Sequence, residues 1–231
     1  MVLQTIDLTQ SRHWLSDSQR VAIQQVIKAS FSNIDPDEYL AKYFDATKPF
    51  ERKLRLYYGD GKLVGYCLLT FTNEPKATVI RASAAFLPEY RKGGNTFAFS
   101  IKHSVFCWLK RPWRKHFYAD TMLSPAMYRA IASKTATIWP HFAYQAPTGI
   151  FEQFNAKGEV SGSNSLRCLV PVNRTSNYSL QELDTLKNSD KAEIKYYCQV
   201  NPEFAKGTAL FVIIPINLAQ VLKTLWKNLL N

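Results

Sequence analysis

The sequence predicts a mixed α/β fold, and three observations lead to this prediction. Asp60-Gly61 lies between two strand-like runs, residues 54–58 and 63–71, and Asp-Gly favours a two-residue hairpin turn. An apolar, strand-like run over residues 77–87 then leads directly into a glycine-containing turn. Residues 95–110, which follow, carry apolar side chains at helical spacing.

The same patterns predict further elements on both sides of this segment. Asp17 or Ser18 is expected to cap a helix over residues 18–31, and Pro36 suits the first turn of a second helix that ends near Phe44. The later elements are predicted as strands over residues 116–121, 166–172, 193–198 and 210–215, and as helices over residues 125–133 and 180–187 and from residue 218 onward.

Composition favours one soluble globular domain over residues 1–231. The chain has 231 residues, of which 46% are hydrophobic and 20% charged, and no apolar run is long enough for a membrane span. The N-terminus lacks the pattern of a signal peptide, so we expect a cytoplasmic protein with free thiols. The four cysteines and four histidines show no metal-ligand spacing, and we expect no metal site.

A net charge of +11 favours acidic partners, such as nucleic acid, an anionic membrane, a phosphorylated cofactor or an acidic acyl carrier protein. The densest basic cluster lies over residues 110–116. It is interpreted either as solvated cations that complement a helix C-terminus or as a docking patch. Nucleic-acid binding is the weaker hypothesis, because no known nucleic-acid-binding module is present.

The turn between residues 88 and 96 has the chemistry of an anion site. Pro88 ends the preceding strand, and Gly93 and Gly94 allow the backbone to approach a ligand without a Cβ in the way. The helix that follows contributes unpaired N–H groups and partial positive charge at its N-terminus. The spacing fits neither a phosphate loop nor a dinucleotide fingerprint.

This turn resembles the Arg/Gln-x-x-Gly-x-Gly/Ala motif of the GNAT acyltransferase superfamily. The matching residues are Pro88, Glu89, Tyr90, Arg91, Gly94 and Thr96, where Thr96 replaces Gly or Ala. The resemblance implies that backbone N–H groups of residues 92–97 hold the pyrophosphate of acetyl-CoA or another acyl-CoA. The cofactor-binding residues that it implies here are Phe86, Leu87, Arg91, Lys92, Gly93, Gly94, Asn95 and Thr96.

The resemblance also carries expectations for the fold. It implies a mostly antiparallel central sheet flanked by helices, with a core over about residues 1–140. Residues 141–231 would then be an elaborated C-terminal part, in which the strands at 193–198 and 210–215 form the closing hairpin. The terminal helix, with its leucines on one side, is expected to pack on this domain, while a dimer seam and a membrane-surface helix are the alternatives.

A second resemblance follows the predicted strand over residues 116–121. The family often carries Asn-x-x-Ala-x-x-x-Tyr there, and this chain has Thr121 and Ser124 at the first two positions and Tyr128 at the last. The resemblance implies that Thr121 and Ser124 contact pantetheine and that Tyr128 protonates the departing thiolate. The alternative for Tyr128 is a half-buried helix tyrosine with its hydroxyl at the surface.

Two carboxylates are candidates for the general base. Glu89 follows the strand that precedes the turn, and Asp120 is at the end of the next strand, although either could serve only the turn or a helix cap. The predicted function is transfer of an acetyl or longer acyl group from a thioester to an amine of a small molecule or peptide. The alternatives are a non-catalytic binding or regulatory module with the same fold and, less favoured, a basic nucleic-acid-binding protein.

Overall fold

The computed structural model describes residues 3–10, 14–91 and 96–229. The chain forms two compact units, Met1–Lys115 and His116–Asn231. Within each unit, the strands pair antiparallel and helices accompany the sheet. This confirms the mixed α/β class with a mostly antiparallel sheet. The assignment of residues 1–231 to a single domain stays a prediction.

The first unit contains an antiparallel sheet in which the strand order is β1-β3-β4-β5. Its elements in chain order are β1 (Gln4–Thr9), α1 (Asp17–Ser30), β2 (Phe31–Ser32), α2 (Pro36–Leu40), a π-helical turn (Ala41–Asp45), β3 (Glu51–Gly59), β4 (Lys62–Glu74), β5 (Ala77–Phe86), a 3₁₀ turn (Pro88–Tyr90) and α3 (Thr96–Lys110).

The predicted hairpin joins β3 to β4. Asp60 and Gly61 have φ angles of 50° and 76°, the positive values that this tight turn requires. β4 is then buried continuously over residues 64–72, so both of its faces are covered. α1 packs against β4 and β5, and Ser100 of α3 approaches the opposite face of β4, where its Oγ lies 4.0 Å from Cys67 Sγ.

The N-terminal helices form close to their predicted positions, with a different cap on α1. Ser16, rather than Asp17 or Ser18, caps α1: its Oγ accepts a hydrogen bond from the Gln19 N–H, and the Gln19 side chain accepts from the Ser16 N–H. Asp35 caps α2 through the N–H groups of Asp37 and Glu38. Ser16 has the extended backbone of an N-cap, whereas Asp17 is already the first residue of the helix.

The second unit is built on the antiparallel strand order β6-β9-β7. Its elements are β6 (His116–Met122), α4 (Pro125–Ala132), α5 (Ile150–Phe154), β7 (Leu169–Pro171), β8 (Thr175–Ser176), α6 (Leu180–Lys187), α7 (Ala192–Val200), a 3₁₀ turn (Phe204–Lys206), β9 (Thr208–Ile216) and α8 (Leu218–Leu229).

The prediction of a strand over residues 193–198, and therefore of a closing hairpin, was wrong. This segment is part of α7, which packs against α4, while β9 pairs with β6 and β7 instead. The buried residues of α7 are Ile194, Tyr197 and Val200, three residues apart, and this spacing places them on one side of a helix.

The structure differs from the sequence-based prediction in a further strand, β1, and in the buried face of α3. β1 was not predicted, although it pairs along its whole length with β3. In α3, where apolar side chains at helical spacing predict one buried face, the most buried residues are Phe99, Ser104 and Cys107, whereas Leu109 is 54% exposed. Among the described residues, no helix is both long and apolar enough to cross a membrane.

Gly65 in β4 lies directly beneath Phe86 at the end of β5, and a Cβ at this position would overlap the Phe86 ring. We therefore expect Gly65→Ala to lower the free energy of unfolding by about 1–3 kcal/mol, because the ring must move in a packed site. Urea denaturation measures the change. Gly162→Ala is the control, since nothing lies within 4 Å of the added methyl, and it should change stability by less than about 0.5 kcal/mol. Equal effects of the two substitutions would contradict the close packing of Phe86.

Candidate functional site

The predicted cofactor segment begins where β5 ends, and this strand end is held from two directions. The Leu87 N–H donates to the Val64 carbonyl of β4 at 2.9 Å. The Ser30 hydroxyl, at the end of α1, lies 2.9 Å from the Phe86 carbonyl. The Phe86 ring also packs on Tyr57, with the ring centroids 4.9 Å apart. Phe86 and Leu87 are therefore fixed in position, and both are half-buried.

A single 3₁₀ turn continues from this strand end. The Tyr90 N–H donates to the Leu87 carbonyl at 2.9 Å, and the Arg91 N–H donates to the Pro88 carbonyl at 3.4 Å. The Tyr90 ring lies against Gly59, where a Cβ would come within 2.9 Å of the ring. Glu89 is exposed, so its carboxylate is at the surface of this turn. Tyr90 therefore anchors the turn to β3, while Glu89 is exposed to solvent.

The centre of the predicted motif, Lys92, Gly93, Gly94 and Asn95, lies outside the described residues. Arg91 before it and Thr96 after it are both half-buried. Thr96 is the first residue of α3, a helix of 15 residues. A helix of this length gives partial positive charge to its N-terminus, which is the end that the motif approaches.

The first turns of α3 are packed against β3. The Arg55 guanidinium lies over the ring of Phe99, 4.6 Å from its centroid, and forms an ion pair with Asp7 at 2.6 Å. The hydrogen bond from Arg55 lowers the pKa of the Asp7 carboxyl. Phe99 also meets the His103 ring edge-on at 4.6 Å. These contacts set the direction from which the start of α3 approaches the motif.

A cavity of about 360 Å³ lies at the other end of α3. Phe71, Phe106 and Leu109 contribute apolar walls, while Lys53 and Glu51 pair at 2.9 Å. Burial lowers the pKa of His103, which also lines it. Since His103 is seven residues along α3 from Thr96, about 10 Å of helix separates this cavity from the motif. Among the described residues, none of the predicted cofactor-binding residues lines this cavity.

The basic cluster at the end of α3 is partly structural. Arg114 Nε donates to Thr78 Oγ1 at 3.1 Å, and Arg114 Nη2 bonds to the carbonyls of Ala77, at 2.9 Å, and Glu74. Arg111 lies over the Phe50 ring. Lys110 and Lys115 are exposed. Arg114 thus fastens the end of α3 to β5, and only part of the cluster is open to a partner.

A buried polar cluster in the first unit was missed by sequence reasoning. Ser83 of β5 lies 2.5 Å from the Tyr39 hydroxyl and 3.2 Å from the Tyr66 hydroxyl. All three residues are less than 10% exposed. Arg81, two residues earlier in β5, pairs with Glu74 at 2.8 Å. No sequence signal marks this cluster, because Tyr39 is 44 residues from Ser83.

In the second unit, Asp120 and Thr121 lie at the end of β6. Both are half-buried, and the Thr121 N–H donates to Asp120 Oδ1 at 2.7 Å. Opposite them in β9 are Val212 and Phe211. The Asp120 carboxylate is therefore oriented by the backbone beside it and retains access to solvent. These are properties that a proton acceptor needs.

Ser124 is buried at the start of α4 and acts as its N-cap. Its Oγ accepts from the Met127 N–H at 3.3 Å and lies 3.1 Å from the Tyr178 hydroxyl. The serine at this position thus has a structural role in the helix, besides the pantetheine contact that the sequence resemblance implies. The pantetheine contacts of Thr121 and Ser124 stay predictions.

Tyr128 is fully buried, in contrast to the half-buried, surface-reaching tyrosine that the sequence left open. Its hydroxyl donates to the Pro140 carbonyl at 2.9 Å, and its ring packs among Tyr196 and Tyr197. Burial raises the pKa of Tyr128, so the phenol retains its proton. The side chain is in the protonated form that an acid requires, but this proton is directed at a backbone carbonyl. Its role as acid stays a prediction.

No group of three or more His, Cys, Asp or Glu side chains suited to a metal ion occurs in the described part of the chain. Cys67, Cys107 and Cys168 are buried as free thiols, and Cys198 is half-buried. Burial raises the pKa of both Cys107 and Cys168 to about 11. These thiols are therefore poor nucleophiles at neutral pH.

No protein-family model matches the chain, and no curated protein matches it. Among solved structures, it is similar to the ribosomal-protein-S18-alanine N-acetyltransferase from Escherichia coli, with 10% identity, a TM-score of 0.41, and 92% of this chain and 96% of that chain covered. It is also similar to Escherichia coli ElaA, with 15% identity, a TM-score of 0.37, and 64% and 95% of the two chains covered.

A third similar structure is a GNAT-family acetyltransferase from Bacillus anthracis, with 12% identity, a TM-score of 0.37, and 57% of this chain and 81% of that chain covered. Two of these three proteins are acetyltransferases by name. With TM-scores below 0.5, these similarities do not establish a function.

We expect Tyr128→Phe to lower the free energy of unfolding by about 1–2 kcal/mol, because the Pro140 carbonyl loses its donor in a buried site. Chemical denaturation followed by circular dichroism measures the loss. Tyr178→Phe is the control, because Tyr178 is only half-buried and water can replace its hydroxyl. A Tyr128→Phe protein as stable as the wild type would show that this hydrogen bond contributes nothing to stability.

Proposed function

We propose that this protein transfers an acyl group from an acyl-CoA thioester to an amine. One observation carries the proposal. The residues on both sides of the motif form a fixed strand end, a tight turn and the start of a long helix, in the order that the sequence motif requires. This is the arrangement in which helix N–H groups bind a phosphorylated cofactor.

The reaction needs few protein groups. The amine nitrogen attacks the thioester carbonyl carbon, the C–S bond breaks, the amine loses a proton, and the CoA thiolate gains one. We assign the pyrophosphate to the backbone N–H groups of residues 92–97, with Arg91 beside it. Positioning of the two substrates supplies much of the rate enhancement in such a direct transfer.

The proton acceptor is proposed to be Glu89 or Asp120. Glu89 is exposed on the turn itself, so it can act only through solvent or a bound acceptor. Asp120 is half-buried, and one of its oxygens already accepts the Thr121 N–H. That hydrogen bond orients the Asp120 carboxylate at the end of β6.

A second candidate function, a binding module without catalysis, is favoured by one observation. The Tyr128 hydroxyl, which the resemblance assigns as the acid, donates to the Pro140 carbonyl and is fully buried. Tyr128 must break this hydrogen bond in order to protonate a thiolate. A protein that only binds acyl-CoA does not need that step.

Ligand-dependent thermal unfolding tests the cofactor site. CoA, acetyl-CoA, and medium- and long-chain acyl-CoAs should each be offered to the wild type and to the double variant Arg91→Glu/Gly94→Glu. A ligand at about a hundred times its dissociation constant should stabilise the wild type by roughly 2.7 kcal/mol. We expect the double variant to lose this stabilisation, because it places two negative charges at the proposed pyrophosphate site.

Lys102→Glu is the matched control, since Lys102 is exposed in the middle of α3 and its substitution makes the same change of charge as Arg91→Glu. It should leave the stabilisation intact. The proposal would be contradicted if none of the donors stabilised the wild type.

A second experiment distinguishes an enzyme from a binding module. It measures the release of free CoA thiol in the presence of amines with a thiol reagent. Asp120→Asn and Glu89→Gln identify the base by the larger loss of kcat.

A further inference from the structure

The last helix, α8, is attached to the second unit through its polar side chains. Asn217 caps it, because its Oδ1 accepts from the Gln220 N–H at 2.9 Å. Gln220 and Thr224 are the most buried residues of the helix, each 7% exposed. Polar side chains of α8 form hydrogen bonds with residues 132–137. These are Gln220 Nε2 to Thr137 O at 2.8 Å, Ala136 N to Thr224 Oγ1 at 3.2 Å, Lys227 Nζ to Ala132 O at 3.0 Å and Thr135 O at 2.9 Å, and Asn228 Nδ2 to Lys134 O at 2.7 Å.

Five large apolar residues of α8 are exposed, whereas Val221 is half-buried. The five exposed residues lie at successive spacings of four, three, one and three residues and therefore share one side of the helix. We call them the α8 stripe: Leu218, Leu222 and Leu225, each 57% exposed, Trp226 at 66% and Leu229 at 80%. A helix of a water-soluble domain normally buries such a side and exposes its polar residues. In α8 this arrangement is reversed, and the packing on the domain expected from the sequence involves the polar side.

α8 and the segment that contains its carbonyl partners carry only positive charges, and Glu193 of α7 is an acidic residue that interacts with Lys227. α8 itself carries Lys223 and Lys227 and no acidic residue, and residues 132–143, which contain its carbonyl partners, carry Lys134 and no acidic residue. Lys223 and Lys134 are exposed. The chain as a whole has a net charge of +11. An occupant of the stripe must therefore combine an apolar layer with negative charge beside it.

An anionic bilayer has both properties. Leucine and tryptophan side chains enter the boundary between headgroups and acyl chains, where tryptophan is favoured, while lysines beside them reach the lipid phosphates. A second copy of the chain fits less well, because it would bring the same lysines and another net charge of +11 to the same place. We propose that α8 is a membrane-surface helix that attaches this protein to anionic lipid.

Sedimentation with sucrose-loaded vesicles tests the proposal. We expect the full-length wild type to bind phosphatidylcholine vesicles that contain phosphatidylglycerol, and to bind pure phosphatidylcholine vesicles at least about tenfold more weakly. Leu222→Gln/Leu225→Gln should weaken binding to the anionic vesicles at least about tenfold, because the apolar contact is lost. Lys223→Glu should also weaken binding to the anionic vesicles. The loss of binding should be larger in low salt than in high salt, because salt screens the charge.

Leu180→Gln is the matched control. Leu180 is 86% exposed on α6 of the same unit and is not part of the α8 stripe, so this variant should bind vesicles as the wild type does. Both residues of the double variant are exposed, and its thermal unfolding should match that of the wild type, which separates lost binding from lost folding. Trp226→Phe should remove the blue shift of tryptophan fluorescence that vesicles induce.

Three results would overturn the proposal. One is binding of the double variant equal to that of the wild type, which would assign any vesicle affinity to charge alone. Another is failure of the wild type to bind anionic vesicles. The last is a concentration-dependent dimer in analytical ultracentrifugation that the double variant abolishes, together with no binding to vesicles. That result would assign the α8 stripe to a second copy of the chain.

Discussion

The first unit depends on the burial of β4 on both faces. Nine consecutive residues of this strand are buried, so neither face can be left to solvent. α1 packs on one face, and Ser100 of α3 approaches the other at Cys67. The chain therefore passes from the end of β5, which is held by the hydrogen bond from the Leu87 N–H to the Val64 carbonyl, through a short connection into a helix on the α3 side. The motif occupies that connection, and its location follows from how a central strand is covered.

Local sequence predicts the elements whose signals are short-range. Asp60-Gly61 specifies its turn because both residues accept positive φ, and α3 begins at Thr96, one residue from its predicted start. A strand was wrongly predicted over residues 193–198, because the β-branched and aromatic residues Ile194, Tyr196 and Tyr197 favour strands. Burial of Ile194, Tyr197 and Val200 against α4 decides in favour of a helix. β1 was missed because a mostly exposed edge strand carries only a weak apolar pattern.

In the candidate site, too, some features can be predicted from the local sequence and others depend on the fold. The turn from Pro88 to Thr96 can be predicted from the sequence alone, because proline and glycine have distinctive backbone preferences, and its role in cofactor binding stays a prediction. The hydrogen-bond partners of Tyr128 and Ser83, in contrast, cannot be predicted from the sequence. The Tyr128 hydroxyl finds a carbonyl twelve residues away, and Ser83 meets Tyr39 across 44 residues, so both contacts exist only once the fold has formed. Sequence reasoning therefore finds residue types with suitable chemistry, while the fold decides which of their atoms are engaged.

The polar attachment of α8 has a consequence for how this helix separates from the protein. Most helices that detach expose apolar surface, and urea promotes such opening in proportion to the area exposed. Detachment of α8 would expose mainly side-chain amides, a hydroxyl, an ammonium group and backbone carbonyls, since its leucines already face solvent. Its opening would then depend little on denaturant and more on how well water replaces a few hydrogen bonds. α8 is thus attached largely by hydrogen bonds, whose strength depends on temperature and solvent polarity.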